Sequence, residues 1–91
     1  MRTVYKYIVP VNDDVTEIDA PIGLVPVHAE LVGTEMGGRA FLLWMDVETE
    51  RAMKKHKFCV TGTGHPVGEN FRHVASSTRG VPFVWHLWEG K

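Results

Sequence analysis

The sequence predicts an all-β protein, a small antiparallel β-sandwich or barrel of six to seven short strands. Three observations predict it. Short segments rich in β-branched and aromatic residues alternate between two faces, turn-forming residues separate them at short intervals, and no stretch carries a long amphipathic helix. At 91 residues the chain has room for one domain, taken as 1–91. Its core is small, so burial against a second copy would add stability, and a homo-oligomer is expected.

Residues 3–9 open the fold as a strand, with Tyr5, Tyr7 and Val9 on one face and Val4, Lys6 and Ile8 on the other. Pro10 stops it. Asn12, Asp13 and Asp14 form a turn cluster whose short side chains can bond their own backbone. A short strand follows over 15–19. Residues 24–32 alternate next, with Val25, Val27, Ala29 and Leu31 on one side and Pro26, His28 and Glu30 on the other. Pro26 places this strand at an edge or at a strand start. The three glycines within 33–39 suit a hairpin turn.

Residues 40–47 are apolar on both faces, which marks a central strand or one whose outer face meets another subunit. Two helical turns would also fit that length. Residues 48–53 have helix propensity but are too few to hold a helix alone, so a loop or single turn is expected. Residues 55–61 place His56, Phe58 and Val60 opposite Lys55, Lys57 and Cys59. Residues 71–78 set Phe71, His73 and Ala75 on one side. After a turn at 79–80, residues 82–88 close the domain with Phe83, Trp85 and Leu87 facing the core.

Charge and cysteine usage narrow the function. The net charge of −1 gives no basic excess for a phosphate backbone. The dense run of Arg51, Lys54, Lys55 and Lys57 reads first as a solvated hairpin or edge strand guarded by lysines, ahead of a nucleic-acid patch. The lone Cys59 excludes an internal disulfide and fits a reducing, cytoplasmic setting; its apolar neighbours suggest a small hydrophobe rather than a nucleophile. The beginning of the chain lacks a signal-peptide pattern, and no apolar run has membrane-spanning length, so a soluble intracellular protein is expected.

Three features are candidate sites. The segment Thr61, Gly62, Thr63, Gly64, His65 can gather backbone N–H groups, a hydroxyl and an imidazole around an anion, with Arg72 as a further cation; the competing reading is a tight turn that needs glycine. Trp44, Trp85, His86 and Trp88 exceed what a small core absorbs. An outward Trp88 beside Trp44 would make a contact patch or a stacking platform. The five histidines His28, His56, His65, His73 and His86 are too widely spaced for a usual zinc signature, so neither a metal site nor a cofactor is expected. No catalytic motif or acid–base pair is visible, which disfavours an enzyme.

One resemblance spans nearly the whole chain. It rests on Val4-Tyr5-Lys6-Tyr7, Val25-Pro26-Val27-His28, Leu43-Trp44, the run from Phe58 to Val67 containing Thr-Gly-Thr-Gly-His-Pro, and the closing Val84-Trp85-His86-Leu87-Trp88-Glu89. In these the chain resembles an uncharacterised family of small proteins from bacteriophages of actinobacteria and their relatives. The resemblance implies a viral origin and a host-cytoplasmic or virion setting, and it carries no catalytic roles.

The leading expectation is therefore a non-catalytic, homo-oligomeric phage binding module in the host cytoplasm that blocks a host protein or sequesters a small anionic or nucleotide ligand. A minor virion or capsid-decorating subunit is the second reading, and a small metal- or ligand-binding enzyme the third. Membrane association is not expected, and nucleic-acid binding is disfavoured.

Overall fold

The computed structural model describes residues 1–35, 37–77 and 84–91. Among these, seven antiparallel strands and no helix are found: β1 (Arg2–Pro10), β2 (Thr16–Pro21), β3 (Val25–Gly33), β4 (Arg39–Glu48), β5 (Met53–Gly62), β6 (Phe71–Ser77) and β7 (Trp85–Gly90). They form a three-stranded sheet in the order β1-β4-β3 and a four-stranded sheet in the order β2-β5-β7-β6, packed as a β-sandwich. The turn expected at 79–80 and the core role expected of Phe83 lie outside the described residues.

The alternation of apolar residues builds the core. Val9, Leu31, Phe41, Leu43, Met45 and Val47 point inward from the three-stranded sheet and meet Ala20, Phe58, Val60 and Leu87 from the four-stranded one. Burying each large member contributes about 1.5–3 kcal/mol. Residues 40–47 are strand rather than helix. They form the middle of the three-stranded sheet because both of their edges find partners, Tyr5 opposite Met45 on one side and Leu31 opposite Phe41 on the other.

Local turn chemistry behaves as its residues dictate. The Asp14 amide donates to Asn12 Oδ1 at 2.9 Å, so the first connection is an Asx turn. The β3–β4 hairpin closes with Thr34 N–H donating to Gly38 O, and Thr34 Oγ1 accepts from the Gly38 amide. Residues after β4 make a single turn in which Arg51 N–H donates to Glu48 O.

Two expectations of facing are corrected by β-bulges. In β3 the register shifts between Pro26 and His28, so Val25 pairs with Asp46 and stands exposed with Val27 instead of joining Ala29 and Leu31 inside. In β6 the shift between His73 and Ala75 separates these two residues, which simple alternation puts on one side. A bulge adds one residue to one strand, so period-2 counting fails beyond it. The basic run is a solvated strand with one open edge, as its lysines suggest. Its lysines lie on the first half of β5, exposed and paired with β2 on one side only, since β7 joins β5 from Phe58 onward; Lys55 meets Asp19 at 3.4 Å and Lys57 stands opposite Glu17.

Candidate functional site

The segment after β5 is a tight turn. His65 N–H donates to Gly62 O at 3.1 Å, and Gly64 takes φ +86° at the position where a turn of this kind needs a left-handed residue. Thr63 N–H donates to Val84 O at 3.3 Å. Two amides that an anion would need are thus occupied within the fold. Gly62 has a second reason to be glycine, since an added Cβ would lie 3.2 Å from the His65 ring. Arg72 does not join this loop. It pairs across to Glu89, while Gly62 stands opposite Trp85, four residues away along β7 or about 13 Å.

The loop's side chains nevertheless reach a cluster on the outer face of the four-stranded sheet. Thr63 Oγ1 lies 2.8 Å from His86 Nε2. The opposite nitrogen of the same ring, Nδ1, lies 2.6 Å from Ser76 Oγ, and Ser76 Oγ lies 2.7 Å from His73 Nε2. His73 then meets the Trp88 ring edge-on at 5.3 Å between centroids, and Trp88 Nε1–H donates to Thr61 Oγ1 at 2.9 Å. Four side chains from the β5–β6 turn, β6 and β7 form one hydrogen-bonded chain beside an indole.

The bulge makes this arrangement possible. His73 and Ser76 are three residues apart, an odd spacing that puts them on opposite faces of a regular strand. The extra residue in the β6 ladder leaves His73 opposite Trp88 and Ser76 opposite His86, both on the outer face. Ser76 was not visible as a site residue in the sequence for this reason.

The chain of groups has limited chemical options. Ser76 carries one hydroxyl proton between two imidazoles, so it donates to one and accepts from the other. With Ser76 O–H donating to His73 Nε2, Ser76 Oγ accepts from His86 Nδ1–H and His86 Nε2 accepts from the Thr63 hydroxyl, so each of these polar atoms has a partner. The second partner of His86 is the Thr63 hydroxyl, where a nucleophilic triad has a carboxylate.

The three tryptophans occupy three different environments. Trp88 belongs to this outer face, Trp85 packs inward against the core, and Trp44 stands against His28 at 5.4 Å on the outer face of the other sheet. Trp44 and Trp88 therefore cannot share one patch, which corrects that part of the expectation. Sheet membership depends on which strands pair over long range, and alternation alone does not report it.

His56 and Cys59 have structural roles. His56 Nε2–H points at the carbonyls of Ala20 and Pro21, at 3.1 and 3.0 Å, which identifies that nitrogen as the protonated one. Burial pushes the Cys59 thiol up, keeping it neutral. Among the described residues no group of three or more His, Cys, Asp or Glu side chains is placed to hold a metal. No described helix is long and apolar enough to cross a membrane.

No curated protein and no solved structure matches the chain. The profile of one family, described as a domain of unknown function (DUF7352), matches residues 1–91, and the chain belongs to that family.

Proposed function

We propose that this protein is a non-catalytic binding module encoded by a bacteriophage of the actinobacterial group, acting in the host cytoplasm to block a host protein. The observation that carries the reading is the Thr63–His86–Ser76–His73 chain beside Trp88 on an open sheet face. Aromatic side chains next to rigidly placed polar groups are what protein contacts concentrate at their centres. The side chains are held by one another before any partner arrives, which lowers the entropy cost of binding.

The opposite face supports self-association. Val4 and Ile8, 49% and 57% exposed, share the outside of the three-stranded sheet with the partly covered Leu42 and Trp44, with Lys6 opposite Trp44 and Asp46 opposite Val4. A second copy is the occupant we assign to this face, since a chain of 91 residues gains most from extending its small core. Light scattering is expected to give the mass of a dimer or higher assembly for the wild type and of a monomer for Ile8→Asp, whose side chain is exposed in the single chain.

Mass spectrometry of purified virions separates this reading from a structural one. A host-acting protein is expected in infected cells and not in particles. Its recovery at fixed stoichiometry in particles would replace the host-blocking reading with a capsid-decorating one.

A further inference from the structure

Strand β5 has two neighbours along only part of its length. β2 pairs with it from Met53 to Phe58, whereas β7 pairs with it from Phe58 to Gly62. Gly90 still touches Lys57, since an added Cβ there would lie 3.2 Å from Lys57 Cβ. The chain then leans toward β6, with Lys91 N–H donating to Asn70 O. Over positions 53–57 no described strand covers the second edge of β5, and every other residue there turns its N–H and C=O to that edge. A hollow of about 240 Å³ runs along it, between Lys54, Lys55, His56 and Lys57 on one side and Gly90 and Lys91 on the other.

The covered edge shows the chemistry that β5 accepts from a neighbour. There Glu17 stands opposite Lys57, Ile18 opposite His56 and Asp19 opposite Lys55, an acid–apolar–acid segment against two lysines and an imidazole. Ile18 packs against the core while both acids are exposed with the lysines on the outer face. The open edge offers the same three β5 side chains to a segment on its other side. An acid opposite Lys55 also comes within diagonal reach of Lys57, which makes no ion pair among the described residues. An apolar residue opposite His56 points into the adjoining cleft, where Leu24 is a wall. Glu89 lines that cleft too, but it is buried and bonded to Arg72, so it does little to oppose an incoming acid. Two copies joined through this edge would set lysine against lysine. A nucleic acid would meet the charge but leave the backbone groups unused, and no Phe, Tyr or Trp lines the hollow for a base to stack on.

We infer that the open edge of β5 binds an extended acidic segment of a partner protein by strand addition, with an acid opposite Lys55 and an apolar residue opposite His56. This surface is separate from the imidazole face and stands whether or not that face binds. The test is fluorescence anisotropy of the full chain with a labelled Thr-Glu-Val-Glu-Val-Thr peptide. Its controls are the same peptide with lysine for glutamate and two forms N-methylated at alternate residues, which keep the charge and lose backbone donors. The acidic peptide is expected to bind and the lysine peptide not to. One of the two N-methylated forms is expected to bind about tenfold more weakly, and the double variant Lys55→Ala and Lys57→Ala to lose about tenfold with the parent peptide. Both lysines are exposed, so that variant keeps its core. His73→Ala is expected to bind as the wild type does, and saturation with peptide to slow amide exchange at alternate positions of 53–57. Absence of binding, equal binding of the lysine peptide, full binding of both N-methylated forms, or unchanged affinity in the double variant would overturn the proposal. So would oligouridylate binding in place of the peptide, or protection of the 53–57 amides by raising protein concentration alone, which would hand the edge to a second copy.

Discussion

Thr63 and His86 meet across the β5–β7 end of the four-stranded sheet, with Thr63 Oγ1 2.8 Å from His86 Nε2. That contact ties a glycine-bounded turn to the face on which Ser76, His73 and Trp88 stand. The glycines therefore serve the site indirectly: they shape the turn that aims Thr63.

Gly64→Ala is expected to lower stability by about 1 kcal/mol, because φ +86° disfavours a side chain although an added Cβ meets nothing within 4 Å. Gly64→Asn is expected to lose less, since asparagine tolerates left-handed backbone better than alanine. Urea unfolding of the two variants checks the order. Equal stability of wild type and Gly64→Ala would contradict the turn geometry.

His86→Ala removes both ring contacts at once. The expected loss is about 1–3 kcal/mol, from two hydrogen bonds worth about 0.5–1.5 kcal/mol each. Ser76→Ala is expected to cost less, as the imidazole nitrogens it leaves stand on the outer face where water can take its place. A double-mutant cycle between Thr63→Val and His86→Ala measures their coupling; additivity would show that the contact contributes nothing.

Phe58→Ala is expected to cost about 3–5 kcal/mol, since Phe58 is fully buried between the sheets and its loss leaves a cavity. In a domain with a thin stability margin, that places much of the population in the unfolded state at 37 °C. Circular dichroism against temperature reads it directly.

Much of this architecture was legible in the residues. Phe58 and Val60 could be placed inside because lysines alternate with them, and residues 40–47 could be placed centrally because neither face is polar. The Asx turn followed from Asn12 two residues before Asp14. What alternation could not report were the two bulges, at Val27 and Val74, since an inserted residue leaves no mark in the composition of its neighbours. The second bulge hid the meeting of His73 with Ser76. Glu89 was different: its inward position could be counted from Leu87, and a carboxylate there was a signal available in the sequence.

Arg2 holds the Asp46 carboxyl below its ordinary range, chiefly through their hydrogen bonds, at 3.0 Å from Nε and 2.6 Å from Nη2. A depressed carboxylate adds stability that is present above the unfolded-state value and lost as pH falls through the folded-state value. The difference in Tm between wild type and Arg2→Ala is therefore expected to be positive at neutral pH and to close on strong acidification. Because the pair is exposed, salt should shrink the difference too. A difference that grows toward acid would contradict the assignment.

Comparative capture from an actinobacterial lysate, the source of partners under the proposed function, tests the imidazole face most directly, with immobilised wild type set beside His73→Glu and Ile8→Asp. His73 and Ile8 are both exposed, one on the outside of each sheet, so either change leaves the core intact. Host protein retained by the wild type is expected to be absent from His73→Glu and still present with Ile8→Asp. Undiminished retention by His73→Glu, or loss confined to Ile8→Asp, would show that the imidazole face is not where this protein binds.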